Sequence, residues 1–245
     1  MRITLQPAYL LHRRPFRDSS QLLEVLTAEY GRLGLVARGV RRKSRGGSSG
    51  SLLQPFAPLL LSFSGGGDLK TLTAIEAGGG IAPLRGDALL SGFYLNELAV
   101  RLLHRDDPQP DIFAAYAVAL AALADGGAIE DALRAFEFNL LDALGYRVEL
   151  VVNGADGGAI ADEAFYTYRP GTGLIPQANA AVAEAPKGLY RGSDLLAVAR
   201  GDYRGSAGQT AKRLARSALA DLLGGRPLRS RELFLQHRER ARDSG

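Results

Sequence analysis

The chain has 245 residues, 46% of them apolar and 23% charged, the proportions of an ordinary globular protein long enough to bury a core. It has no cysteine, and its 3 histidines, His12, His104 and His237, stand far apart; disulfides and thiolate metal sites are excluded, and a structural zinc site is not expected. The net charge of +4 hides a segregation, with +7 on residues 1–50, −9 on residues 51–202 and +6 on residues 203–245, and two basic ends around an acidic middle suit a polyanionic partner.

No apolar run approaches the roughly 20 residues needed to cross a bilayer, and the first residues alternate charged with apolar side chains, so a cytoplasmic protein is expected. Through the first eighty or so residues, short apolar runs recur at roughly ten-residue spacing between turn residues. They predict strands near Leu5–Arg13, Gln21–Ala28, Arg32–Arg38, Pro58–Ser64 and Leu69–Glu76. Arg14-Pro15 is expected to end the first, Tyr30-Gly31 to turn between the second and third, and Gly65-Gly66-Gly67-Asp68 to join the fourth and fifth. Alternation places Leu33, Leu35 and Ala37 on one face, with Leu59, Leu61 and Phe63 as a matching row. Five short strands whose longest connection lies between the third and fourth predict a small barrel of the OB type.

That longest connection is the most basic stretch of the chain. Arg38, Arg41, Arg42, Lys43 and Arg45 put five cations into eight residues without an acid, followed by the Gly/Ser run Gly46-Gly47-Ser48-Ser49-Gly50. A solvated loop and a phosphate-binding loop both fit this composition, and the barrel context favours the second. Tyr9, Phe16, Tyr30 and Phe56 are candidates to stack on bases, with core packing as the alternative.

Helical periodicity takes over at Gly86. Leu90, Phe93, Tyr94, Leu98 and Leu102 form one stripe ended by Pro108 and Pro110; Phe113, Tyr116, Ala117, Leu120 and Leu123 form a second; Leu133, Phe136, Leu140 and Leu144 form a third, capped by Gly145. Residues 146–190 are expected to be irregular, with one hairpin around Tyr166, Tyr168 and Arg169-Pro170-Gly171. Helices resume over Asp194–Ala199 and Ala207–Leu223, where Leu214, Ala218 and Leu222 face inward and Lys212, Arg213 and Arg216 share the outer side. A solvated face and a second phosphate contact are equally good readings of those three cations.

No catalytic constellation emerges. Gly46–Gly50 matches the G-x-S-x-G pattern around Ser48, but the nucleophile elbow needs a strand before it and a helix after it. Gly66–Thr71 lacks the glycine that a phosphate loop requires before its lysine, since Leu69 stands there. Asp106-Asp107 and Asp162-Glu163 are adjacent acids expected at solvated loop ends.

Leu11-His12-Arg13-Arg14-Pro15, Gly31-Arg32-Leu33-Gly34-Leu35-Val36-Ala37-Arg38-Gly39, Leu53-Gln54-Pro55-Phe56, Tyr94-Leu95-Asn96-Glu97-Leu98, Leu133-Arg134-Ala135-Phe136-Glu137 with Leu144-Gly145-Tyr146, Lys212-Arg213 and Ser230-Arg231-Glu232-Leu233-Phe234 follow one another in this order. The series resembles the bacterial recombination mediator family RecO across nearly the whole chain. The resemblance implies an α+β protein: a five-stranded OB-fold barrel over residues 1–80 and an all-α helical domain over residues 81–245. It further implies a non-enzymatic, cofactor-free DNA repair and recombination mediator that binds single- and double-stranded DNA and anneals complementary strands. Such a protein engages the acidic tail of single-strand binding protein and, with RecR, promotes RecA loading in the nucleoid. The matching DNA-binding positions are Arg38, Arg41, Arg42, Lys43 and Arg45, and Arg134 matches a position that receives the tail. Many members carry four zinc-binding cysteines in the stretch corresponding to residues 146–190, where this chain has none. An RNA-binding OB protein of translation and a hydrolase acting through Ser48 are the competing classes.

Overall fold

The computed structural model describes residues 2–17, 19–38, 51–80, 82–177 and 188–243. Five strands, β1 (Arg2–Phe16), β2 (Ser20–Thr27), β3 (Gly31–Ala37), β4 (Pro58–Ser64) and β5 (Leu69–Ala77), close into a barrel in the order β1-β2-β3-β5-β4. All pairs are antiparallel except β3 with β5. β1 serves two neighbours: its first part pairs with β4, from Arg2 opposite Ser64 to Tyr9 opposite Pro58, and its later part with β2, from Ala8 opposite Thr27 to Phe16 opposite Ser20. Register shifts between Ile3 and Gln6 and between Leu10 and His12 bend it around the barrel. At the first, Leu5 takes φ +52 and its N–H donates to Ser62 Oγ at 3.1 Å.

β1 does not end before Pro15, as the sequence suggests; it runs through to Phe16. Beyond Tyr9 the strand pairs only with β2, so one of its edges is open, a position in which a sheet tolerates proline. The expected rows are the core: Leu33, Leu35, Ala37, Leu59, Leu61 and Phe63 are all buried together with Leu23, Val25 and Leu53.

The chain divides into two compact units, residues 1–129 with 227–245, and residues 130–226. In the first, the barrel is joined by α1 (Gly86–Leu102), α2 (Pro110–Ala124) and α6 (Arg229–Asp243). The buried face of α1 shares only Leu98 with the apolar stripe read from the sequence. It is Ser91, Gly92, Leu95, Asn96, Leu98 and Ala99, while Phe93 is exposed. Polar atoms explain the rotation: Asn96 Nδ2 donates to the Leu11 carbonyl at 2.9 Å, and the Tyr116 hydroxyl donates to Asn96 Oδ1. Gly92 is needed for close approach, since a Cβ there would lie 2.8 Å from the Phe56 ring. On α2 the buried residues are Ile112, Tyr116, Ala119, Leu120 and Leu123, and Pro110 opens the helix, as suits a residue with no N–H to offer.

An ion-pair cluster locks the α1–α2 connection onto the barrel. Arg32 donates to Glu24 at 3.0 Å and to the Leu103 carbonyl at 2.9 Å, and Arg105 also pairs with Glu24. Lys70, buried on β5, pairs with Asp106 and donates to the Gly67 carbonyl at 3.3 Å. Asp106 is therefore a counter-ion and not merely a solvated loop end. Gly31 allows the β2–β3 turn to touch this connection: its φ is +65, and a Cβ would fall 1.8 Å from the Asp107 carbonyl oxygen.

α6 was not expected. Its N-terminus is held by Glu97 of α1, which accepts from Arg229 N–H at 3.0 Å, Ser230 N–H at 2.8 Å and Ser230 Oγ–H at 2.7 Å. Burial pushes the Glu97 carboxyl up, but the bonds from Ser230 and Arg229 and the nearby Arg101 outweigh it and hold it below its ordinary value of 4.5. The stabilisation is thus complete above that value and is lost as pH falls through the lowered one. Glu97→Gln is expected to loosen α6 by about 1–2 kcal/mol, the range of an anion at a helix N-terminus. The check is hydrogen exchange: faster exchange of the Phe234 and Leu235 amides in the variant at neutral pH, and in the wild type only in acid.

The second unit contains α3 (Ile129–Ala143) from Glu130 onward, α4 (Gly192–Ala199), α5 (Gly205–Leu222) and a three-stranded sheet, β7-β6-β8, of β6 (Phe165–Arg169), β7 (Gly173–Gln177) and β8 (Leu189–Arg191). α3 ends as predicted at Gly145, with φ +80; Tyr146 N–H reaches the Leu141 carbonyl at 2.8 Å and Gly145 N–H the Asp142 carbonyl at 2.9 Å, a Schellman closure. The expected hairpin is β6–β7, turning at Arg169–Thr172, and β8 extends it to a three-stranded sheet in the stretch expected to be irregular within a helical domain. The residues that correspond to the zinc module do not fit a metal. The chain has no cysteine, and no group of three or more His, Asp or Glu among the described residues could hold one. Asn153 organises the loop instead: its Oδ1 accepts from Ala155 and Asp156 N–H at 2.9 and 3.1 Å, and its Nδ2 donates to the Gly158 carbonyl at 3.0 Å. Those bonds form an Asx turn.

Candidate nucleic-acid interface

The strand register collects cations at one end of the barrel. Arg14 lies opposite Leu22, and Leu22 opposite Val36; Phe16 lies opposite Ser20. Alternation puts Arg14 and Phe16 on one face of that edge, and Arg38, two residues after Val36, continues it. Arg13, Arg14, Arg17 and Arg38 are all exposed. Arg13 has a second task, since its Nη1 donates to the Leu53 carbonyl at 2.9 Å and so fastens the segment that returns after residue 50. The sequence reading selected Arg38 and missed Arg13, Arg14 and Arg17. They lie more than twenty positions upstream, and only the pairing of β1 with β2 and β2 with β3 brings them beside it.

Arg41, Arg42, Lys43 and Arg45 lie outside the described residues, as does Ser48 with its G-x-S-x-G match. Arg38 and Ser51 bracket that segment.

Of the four aromatic candidates, three are used for packing. Tyr9 is buried, with its ring 5.4 Å from Phe113 and 5.1 Å from Tyr116; Phe56 is buried 5.2 Å from Phe93; Tyr30 stands edge-on to Phe63 of the barrel core at 5.9 Å. Phe16 differs. It is half-buried at the basic end of the barrel, with the Arg17 guanidinium 5.2 Å above its ring. A ring faced by a cation is the pairing that single-stranded nucleic acid exploits: one group stacks on a base while the other meets a phosphate.

In the second unit, the three cations of α5 do not form one open face. Lys212 Nζ donates to Glu130 at 2.6 Å. Arg213 donates to the Leu189 carbonyl at 2.9 Å and covers the Tyr190 ring at 5.2 Å. Arg213 and Arg216 remain exposed. Glu130 is the counter-ion of Lys212 and also feels the charges of Arg134 and Arg216, but not that of Arg213. Burial pushes its carboxyl up, yet Lys212, Arg134 and Arg216 together hold it below the ordinary value.

Arg134 is buried, at 4% exposure, on the inner side of α3. Its Nη2 donates to Glu137 at 2.7 Å and its Nη1 lies 3.8 Å from Glu130. Glu137 is itself fully buried. Neither Nε nor Nη1 of Arg134 has a hydrogen-bond acceptor among the described residues. The guanidinium is thus a partly satisfied buried cation and not the open surface charge that an isolated helix would present.

Among the described residues, no helix is long and apolar enough to cross a membrane. The chain matches two family models, recombination protein O N terminal over residues 1–79 and recombination protein O C terminal over residues 84–232. It is 47% identical over 239 residues to the DNA repair protein RecO of Pseudomonas aeruginosa strain PAO1, covering 97% of both chains. It is 46% identical over 236 residues to the protein of the same name from Methylococcus capsulatus, covering 95% of this chain and 93% of that one. It is likewise 46% identical over 236 residues to that of Nitrosococcus oceani, covering 96% and 94%.

Proposed function

Because the chain belongs to the recombination protein O family of DNA repair proteins, we propose that it is a non-catalytic recombination mediator that brings two DNA strands together on basic surfaces. The observation that carries this reading is that strand register brings the exposed Arg13, Arg14 and Arg38 to the same end of a closed barrel as Phe16, whose ring lies under the Arg17 guanidinium. In the sequence, the cations Arg41, Arg42, Lys43 and Arg45 follow Arg38 directly.

Two complementary strands repel through their phosphates. A surface that neutralises several phosphates lowers that repulsion, releases counterions and lets pairing nucleate, so no nucleotide need be hydrolysed and no cofactor enters. Arg213 and Arg216 of α5 are offered as second phosphate contacts, and Lys212 joins them only by giving up Glu130. The acidic tail of single-strand binding protein would be received near Arg134, whose buried Nε and Nη1 lack acceptors and would meet a carboxylate only when the groups covering them move aside. RecR and, through it, RecA complete the assembly in this reading, which places the protein on DNA in the cytoplasm.

The decisive experiment is annealing of complementary strands coated with cognate single-strand binding protein, compared with a coat lacking its acidic tail. Faster annealing that needs the tail is the expected result. Annealing indifferent to the tail would remove the docking step, and no annealing would overturn the reading.

A finer prediction concerns Phe16. Phe16→Ala is expected to weaken binding of single strands by about 1–3 kcal/mol, the value of one base–aromatic stack, and to leave duplex binding nearly unchanged. Fluorescence anisotropy with the two DNA forms measures the difference directly. Equal losses on both would make Phe16 a packing residue.

A further inference from the structure

The second unit contains a cavity of about 310 Å³, at the lower end of the range for ligand sites, that neither the DNA surfaces nor Arg134 uses. Its walls come from four places: the turn after α3, the loop at Asn153–Gly154, the β6–β7 hairpin and the last turn of α5. Tyr146, Arg147, Glu149, Tyr168, Asp221 and Leu222 are the lining side chains that bear on its chemistry.

The charges there lean negative, with Glu149 and Asp221 set against Arg147. α3 and α5 both end at the cavity, and each helix C-terminus carries the negative pole of its dipole. Neither helix has a basic residue in its last turn; each has an acid instead, Asp142 in α3 and Asp221 in α5. Carboxylates at the negative ends of two helices are unfavourable on their own. A cation in the cavity would relieve Asp221, which lines it.

The chain already supplies one such cation. The Arg147 guanidinium pairs with Glu149 at 3.0 Å and lies 4.0 Å from Asp142, but Asp221 has no ion-pair partner among the described residues. Tyr168 adds an aromatic wall; burial first, and then the neighbouring Asp221 charge, push its hydroxyl above the ordinary range, which places that carboxylate near a poorly solvated ring. Elsewhere in this unit the same pairing of groups is filled from within, by Arg213 over Tyr190 at 5.2 Å.

We propose that this cavity receives an arginine side chain from a partner protein, its guanidinium bound by the Asp221 carboxylate between the rings of Tyr146 and Tyr168. A divalent metal fits poorly, because hard cations take six or more oxygen ligands and this lining is aromatic and apolar beside two carboxylates. Guanidinium is planar and weakly hydrated, and it stacks on rings while it donates in pairs to a carboxylate. The proposal is independent of the DNA role and stands or falls without it.

The test is a titration of the full chain with Nα-acetyl-arginine amide, followed by amide chemical shifts. Shifts confined to Gly145, Thr172, Gly173 and Asp221 and saturating with a dissociation constant on the order of 1 mM are expected, about −4 kcal/mol for one side chain. The neutral isostere Nα-acetyl-citrulline amide is expected to give none. Asp221→Asn is expected to weaken the arginine response about tenfold, with an unchanged spectrum for the buried residues of α5 as the check on folding. Equal shifts with citrulline, an unaltered response in Asp221→Asn, or no shift at the lining amides would overturn it. Binding by free L-arginine but not by its blocked amide would also overturn it, since that outcome assigns the site to a metabolite and not to a protein side chain.

Discussion

Arg134→Ala is expected to destabilise the second unit by about 3–5 kcal/mol, because it leaves the buried Glu137 carboxylate without its guanidinium. Thermal unfolding followed by circular dichroism measures the loss. Any failure of this variant to bind the acidic tail of single-strand binding protein would therefore be ambiguous, since a loosened α3 and a missing cation predict the same defect. A second variant separates them. Arg134→Met combined with Glu137→Leu removes both charges and fills similar volume, a change that is often neutral for a buried pair. In that stable background, loss of tail binding assigns the guanidinium to docking. Retained binding makes Arg134 a residue that holds α3 together and places the docking site elsewhere.

Most of the barrel was legible in the sequence, because alternation and turn residues are local signals. Leu33, Leu35, Leu59, Leu61 and Phe63 all face the core as their spacing indicates. Of the first unit's helices, α2 was legible in phase, with Tyr116, Leu120 and Leu123 buried as expected, while α1 was legible in position but only partly in phase. On α1 the buried face is marked by Ser91, Gly92 and Asn96, and their burial depends on Leu11, Tyr116 and Phe56, residues distant in sequence. α6 is illegible for a related reason: its large apolar residues, Leu233, Phe234 and Leu235, are consecutive and form no helical stripe, and the group that caps it is Glu97, more than 130 positions earlier. β8 is a three-residue strand, too short to carry a period. For the site, composition pointed to the basic loop and Arg38. Arg13, Arg14 and Arg17 join them only through strand register, and Tyr9 and Phe56 leave the list of stacking rings only because helices cover them. Pattern finds charge; pairing decides which charges meet.

The basic loop itself carries the largest expected effect on DNA. Replacing Arg41, Arg42, Lys43 and Arg45 together by alanine removes four positive charges from the eight-residue run that begins at Arg38. If each meets a phosphate, the slope of log affinity against log salt for single strands should become shallower by about 3, since every neutralised phosphate contributes roughly 0.7. Low-salt affinity should then fall about 100- to 1,000-fold, and annealing should slow with it. Filter binding across a salt series gives both numbers in one experiment. The slope is the more informative, because a folding defect lowers affinity without changing how many counterions the remaining protein releases. An unchanged slope would mean that the loop is solvated and that Arg13, Arg14, Arg17 and Arg38 carry the phosphate contacts alone. A slope that falls while Phe16→Ala still distinguishes single strands from duplex would divide the work between the two features: the loop for charge, and the ring beside Arg17 for the unpaired base.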